Sequence, residues 1–215
     1  MPNSTPTIDA NITSAPEHQP AGRVLFVDLD GTLIDGDLLR MALTAAIARP
    51  RLWPACLRGL SRGRAALKHV LSQHIQITPQ SLSYRAEILD FVRRRKADGS
   101  RIVLATATAA RWAAAVAEHL GCFDDVLSST EAHNLKGTGK RDVIQAYCRE
   151  HRFTGYGYVG DSFADIPIWQ TADEAVVVAP SPSLLRRIRH LGRSYIILGD
   201  HSAASRPSVS PSQTS

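Results

Sequence analysis

The sequence predicts an α/β protein: a Rossmann-like parallel sheet with helices on both faces and a small α-helical cap inserted after the first strand. Three observations predict it. Short apolar runs, beginning with Val24-Leu25-Phe26-Val27 and Ile102-Val103-Leu104-Ala105, alternate with segments of helical spacing, the pattern of a sheet joined by parallel crossovers. Several runs end directly in Asp, Thr or Gly, and in an open α/β sheet ligands bind just beyond the carboxyl ends of the strands. The segment 38–98, between the first two runs, shows helical spacing without β-type alternation and is too long for a plain βα loop.

Taken in order, 1–21 is rich in Pro, Ser, Thr and Asn and is expected to be a disordered leader. It lacks the apolar stretch of a signal peptide. The core domain is expected at 22–37 and 99–199, the cap at 38–98, and a disordered tail at 200–215. Within the cap, Leu38-Leu39, Met41-Ala42, Ala45-Ala46-Ile47 and Leu52-Trp53 predict helix with breaks at Pro50 and Pro54. Helix continues from Ala65 to Gln73. Thr78 reads as the N-cap, with Pro79 at the first position, of a helix running through Ile88, Leu89 and Val92 to Lys96, closed by Gly99. A strand over 101–105 ends in Thr106-Ala107-Thr108, and an Ala-rich helix over 109–120 follows. Then come a strand at 123–127, a loop at 134–139, a helix at 140–151 and a strand at 156–160. A helix at 165–171, a strand at 175–179, a helix at 182–191 and a last strand at 195–198 complete the core.

Composition narrows the function classes. No run of eighteen apolar residues exists, so no transmembrane helix is expected. Cys56, Cys122 and Cys148 are scattered without paired spacing and read as reduced thiols of a cytoplasmic protein rather than zinc ligands. The net charge is +5, but its distribution matters more. From Leu38 to Ala86 there is no Asp or Glu, while Arg40, Arg49, Arg51, Arg58, Arg62, Arg64, Lys68 and Arg85 fall there, so the remainder of the chain is net acidic. The basic character belongs to the cap. It lacks the aromatic interleaving of a nucleic-acid stacking platform, and no nucleic-acid partner is expected.

The candidate site begins at Asp28-Leu29-Asp30-Gly31-Thr32. At strand period Asp28 and Asp30 share a face, and Gly31 lets the chain leave the strand without a Cβ clash. Read alone, this is also an ordinary turn after a core strand. Thr106 alone is a strand-end residue with Thr108 as its competitor. Lys140 alone is a solvated helix lysine, with Lys136 as its rival. Asp165, in Gly160-Asp161-Ser162-Phe163-Ala164-Asp165, would by itself be a helix cap.

Together, these stretches resemble the four motifs of the haloacid dehalogenase (HAD) superfamily, in order, from Arg23 to about Leu198. The resemblance implies a phosphatase in which Asp28 attacks phosphorus and Asp30 handles the proton. It implies Mg²⁺ as cofactor, held by Asp28, Asp161, the backbone carbonyl of Asp30, and Asp165 in or just behind the coordination sphere. Thr106 would hydrogen-bond a phosphate oxygen, and Lys140 would bring positive charge to the phosphate and to Asp28. Phosphoryl transfer needs such a set: an in-line nucleophile, charge neutralisation and a proton for the leaving group.

The insertion occupies the place of the family's type-1 helical cap, and the phosphoserine-phosphatase-like branch is similar. That branch carries a Glu seven positions after its second Asp. Here Asp37 stands there, one methylene shorter, which argues against serine phosphate as the substrate. The HAD domain fused to UbiA-type prenyltransferases is more similar still, through Arg62-Gly63-Arg64-Ala65-Ala66-Leu67-Lys68 and Asp161 to Trp169. The expected partner is a phosphorylated small molecule or lipid-linked phosphate. A non-catalytic phosphate-binding module associated with a membrane enzyme is the alternative. For the cap, two expectations stand: contact with the inner face of an anionic membrane through its mixed cations and apolar residues, or apolar residues packed on one another with arginines that are solvated or draw in a soluble anionic substrate.

Overall fold

A computed structural model describes residues 23–129, 135–191 and 194–199. The expected leader at 1–21 and tail at 200–215 lie outside the described residues. Six strands, β1 (Val24–Val27), β2 (Arg101–Ala109), β3 (Asp125–Ser129), β4 (Tyr156–Gly160), β5 (Glu174–Val178) and β6 (Tyr195–Leu198), form one parallel sheet in the order β3-β2-β1-β4-β5-β6. β1 sits between β2 and β4, where successive crossovers run to opposite sides. The carboxyl ends of three strands therefore meet at one crevice.

Period-two alternation sends side chains to two separate cores. Leu25, Val27, Ile102, Leu104, Val176 and Val178 face one apolar layer, which includes residues of α1 (Leu38–Ile47), α3 (Arg64–His74), α4 (Ala86–Ala97) and α5 (Ala110–Leu120). Val24, Phe26, Val103, Ala105, Tyr158 and Val177 face the other, covered by α6 (Thr138–Glu150), α7 (Ile166–Trp169) and α8 (Pro182–Arg189). Helices thus cover both faces, as the sequence predicts. No helix among the described residues is long and apolar enough to cross a membrane.

Three differences from expectation fall between residues 79 and 109. The helix expected to begin at Pro79 is a single 3-10 turn over Pro79–Ser81 followed by extended chain. There the Asp35 amide donates to Ser83 O (2.8 Å), the Arg85 amide donates to Leu33 O (3.0 Å), and Tyr84 forms a β-bridge with Ile34. Those bonds hold 82–85 in an extended path that helix would forbid. Next, α4 packs against β2, with Ile88 and Val92 fully buried in the sheet's helical layer. Within the expected cap of 38–98, α1, α2 (Trp53–Ser61) and α3 precede this extended stretch and α4 follows it, and α1, α3 and α4 all contribute to the sheet's apolar layer. Finally, β2 runs past Ala105 to Ala109, with an irregularity between Thr106 and Ala109 where it pairs with β3. Thr106 lies inside the strand rather than after it.

Candidate active site

The central strand positions the first carboxylate. The Asp28 amide donates to Val159 O on β4 (3.0 Å), extending the sheet by one residue. The chain then turns tightly, with the Leu33 and Ile34 amides both donating to Leu29 O and all three side chains buried. Gly31 has φ +79°, and a Cβ there would lie 2.3 Å from Asp161 Oδ2. Only glycine lets the turn approach the end of β4 this closely. The same turn holds Asp161 from its other side, because Thr32 Oγ1 donates to Asp161 Oδ1 (3.0 Å).

Asp28 Oδ1 accepts the Leu29 amide (2.8 Å), and Asp28 Oδ2 pairs with Lys140 Nζ (2.9 Å). Lys140 enters from the first turn of α6 and is 2% exposed. Its ammonium also lies 3.7 Å from Asp165 Oδ1 and donates to the Tyr158 hydroxyl (2.9 Å), which in turn donates to Asp165 Oδ1 (2.7 Å). Asp165 Oδ2 accepts the Ser162 amide (3.1 Å) and hydroxyl (2.9 Å), a reciprocal cap on the turn after β4. Asp165 therefore does cap its turn, and at the same time belongs to the site. Of the two rival lysines, Lys140 is the buried one bonded to Asp28, while Lys136 is exposed at the cavity wall.

Asp28, Asp161 and Asp165 each bring a carboxylate oxygen within 4.8 Å of the others. One ammonium faces three carboxylates in a dry setting, so negative charge is under-compensated. Burial, with Asp165 adding to it against the pull of Lys140, raises Asp28 to about 7. Burial and Asp165 raise Asp161 to about 6, opposed by Thr32 and Lys140. Lys140 is drawn down by burial, but Asp28 and Asp165 outweigh that and its affinity for the proton rises. An all-oxygen carboxylate set short of positive charge fits a hard divalent cation such as Mg²⁺.

Asp30 lies apart from that cluster. Its Oδ1 accepts the Leu38 amide (2.8 Å) and its Oδ2 accepts the Thr108 hydroxyl, so its side chain faces the entry to α1. Burial raises its pKa against the lowering effect of those two bonds. Asp37 caps α1 by accepting the Arg40 amide (3.0 Å). Asp28, Asp30, Asp37, Lys140, Asp161 and Asp165 all line one cavity of about 340 Å³ at the carboxyl edge of the sheet. Thr106 does not: it is fully enclosed, and its Oγ1 accepts the Thr108 amide (3.1 Å).

Several contributors were not singled out from sequence. Arg64 and Lys68 of α3 also line the cavity, and Lys68 Nζ donates to Ala107 O (2.6 Å), tying the insertion to the end of β2. Burial lowers the Lys68 pKa despite nearby Asp30 and Asp37. Their signal was the acid-free segment, which marks many cations without separating those that turn inward. Tyr158 carried a fainter signal, one of two tyrosine hydroxyls in an otherwise apolar strand.

A model of the haloacid dehalogenase-like hydrolases matches residues 25–170, spanning every element that supplies this cavity. The chain belongs to that family. The HAD chain is 36% identical over 169 residues to an uncharacterized protein of Sinorhizobium fredii, y4nM, covering 78% of this chain. It spans only 32% of that relative's length. Among solved structures, it is similar to a Bordetella pertussis protein of unknown function (TM-score 0.63, 19% identity, 82% of this chain and 98% of that one). It is also similar to a substrate-bound phosphoserine phosphatase (TM-score 0.57, 12% identity, 83% and 94%). At such identities these two likenesses are of fold: the six-stranded parallel HAD sheet with its flanking helices.

Proposed function

We propose that the chain is a Mg²⁺-dependent phosphatase that hydrolyses a phosphomonoester, a small metabolite or a lipid-linked phosphate, through an aspartyl-phosphate on Asp28. The observation that carries this reading is the convergence of Asp28, Asp161 and Asp165 around a buried Lys140, at the mouth of a cavity that Asp30 also lines. Asp28, Asp161 and Asp165, with the Asp30 backbone carbonyl, would hold Mg²⁺, which when bound supplies charge neutralisation for the phosphoryl oxygens.

The residues then divide the work. A carboxylate oxygen of Asp28 forms a bond to phosphorus as the bond from phosphorus to the leaving oxygen breaks. Asp30 gives that oxygen its proton, and its burial favours the protonated form this step needs. In the second half Asp30 takes a proton from water, the water oxygen bonds to phosphorus as the bond from the Asp28 oxygen to phosphorus breaks, and inorganic phosphate leaves the regenerated Asp28 carboxylate. Lys140 keeps Asp28 oriented and partly neutralised. The Thr106 hydroxyl accepts the Thr108 amide and keeps its own proton to donate, so a phosphate contact would require the enclosed side chain to open to the cavity. The fold likeness to phosphoserine phosphatase supports the reaction class. The resemblance to the domain fused to UbiA-type prenyltransferases favours a lipid-linked substrate, hydrolysed in the cytoplasm or at the inner face of a membrane.

The testing experiment is a panel of phosphomonoesters assayed with Mg²⁺, coupled to beryllofluoride trapping. Hydrolysis of at least one ester and an adduct on Asp28 are expected. An adduct on another carboxylate, or none with Mg²⁺ present, would remove covalent catalysis by Asp28.

Asp37 is proposed to act on substrate choice. Asp37→Asn keeps a capping oxygen while removing the charge, since Asn caps as well as Asp. Preference among panel substrates should shift, while turnover of a small aryl phosphate stays near parental. Equal loss on every substrate would show that Asp37 supports the core site instead.

A further inference from the structure

Of the nine large apolar side chains exposed among the described residues, six fall between 41 and 60: Met41, Leu43, Ile47, Trp53, Leu57 and Leu60. They belong to α1 and α2, which are joined through a short 3-10 turn at Pro50–Leu52. The expectation that these residues pack on one another fails on exposure: Ile47 is 69% exposed, Leu57 68% and Leu60 55%. The cause lies in how α2 meets α3. A Cβ on Gly59 would lie 3.1 Å from Leu67 Cα, so α2 approaches its neighbour through a glycine. Trp53, Leu57 and Leu60, spaced to share one helical face, are left in solvent.

The surroundings of this face select its occupant. No acid occurs from Leu38 to Ala86, and Arg49, Arg51, Arg58 and Arg62 are all exposed. A second copy of the chain would bring the same cations against these. An anionic bilayer complements both halves of the surface. Apolar side chains enter the acyl boundary, tryptophan favours the interface, and arginines reach headgroups on their long stems. None of the six apolar side chains lines the catalytic cavity. We propose that the exposed face of α2 docks the protein on an anionic lipid surface, with Trp53 and Leu57 inserted and Arg51 and Arg58 on the headgroups. This does not depend on the phosphatase reading.

Trp53 makes the test direct. It is 52% exposed, whereas the other two tryptophans, Trp112 and Trp169, are 2% and 1% exposed. Vesicles of phosphatidylglycerol and phosphatidylcholine in equal parts, at low salt, should sediment the protein and shift its tryptophan emission to the blue. Vesicles of phosphatidylcholine alone should do neither, and high salt should reverse binding. Trp53→Ser should remove the shift, and Leu57→Ser should weaken sedimentation. Arg51→Gln and Arg58→Gln should each weaken it about five-fold. These positions are exposed, so far-UV circular dichroism should stay parental. No sedimentation at low salt would overturn the proposal. So would binding without a Trp53 shift, or binding indifferent to Leu57→Ser and Arg58→Gln. Self-association without vesicles that Leu57→Ser abolishes would likewise overturn it, assigning the face to a protein contact.

Discussion

Asp28→Asn is expected to lower turnover of an activated aryl phosphate by at least about a thousand-fold, measured as kcat with Mg²⁺ present. The substitution is nearly isosteric, so the fold should persist. The Leu29 amide can still donate to the side-chain oxygen now bonded to it, and the Asp28 amide keeps its bond to Val159 O. The chemistry changes in three ways. The nucleophilic carboxylate is gone, one of three converging oxygen donors loses its charge, and the ammonium 2.9 Å away loses the nearer of its two ion-pair partners. Such effects at one centre act as a unit, so the loss should approach that of removing the site outright. Chelation by EDTA should produce a comparable loss in the parent, restored by Mg²⁺. Near-parental activity in Asp28→Asn would place the nucleophile elsewhere, whereas no hydrolysis of any ester by the parent would return the chain to the phosphate-binding alternative.

How much of this site was legible depends on which physical rule governs each residue. The carboxylates at 28, 30, 161 and 165 stood out together rather than singly: Asp28 and Asp161 close apolar runs, and Asp30 and Asp165 follow each within a few residues. The parallel topology then required those run ends to lie side by side. Lys140 was readable only as one of two lysines, since whether a cation is buried depends on the facing strand. Here that strand is β4, whose Tyr158 hydroxyl accepts a hydrogen bond from the ammonium. Thr106 was misplaced by a few residues because strand length is set by the neighbour: β3 still pairs with Ala109 beyond the irregularity. Which layer the helix at 86–97 joins was hidden for a similar reason. Ile88, Leu89 and Val92 have helical spacing whichever layer they pack in, and it is the pairing of 83–85 with 33–35 that returns α4 to the sheet. The outward face of α2 was hidden because periodicity shows that a stripe exists, not which way it points. A single contact at Gly59 decides that.

Lys140→Met is expected to cost the apo protein about 3–5 kcal/mol of unfolding free energy, the scale for removing one partner of a buried ion pair. Methionine preserves much of the stem volume and deletes only the charge and its donors. Asp28 and Asp165 would then sit beside Asp161 with no cation, and the Tyr158 hydroxyl would lose the donor at 2.9 Å. Against a typical domain stability of about 5–15 kcal/mol, this is a large fraction. The sign of the remedy follows from the same charges. A cation that binds only the folded site stabilises by mass action, and the variant offers it a more negative cluster. Mg²⁺ should therefore raise the urea midpoint of Lys140→Met by more than it raises that of the parent. Lys136→Met, at an exposed position, should leave the apo midpoint near parental. Urea unfolding of the three proteins, with and without Mg²⁺, measures all of this. A Lys140→Met protein as stable as the parent without Mg²⁺ would mean the ammonium does not offset the carboxylates it touches. A larger loss from Lys136→Met than from Lys140→Met would exchange the roles of the two lysines.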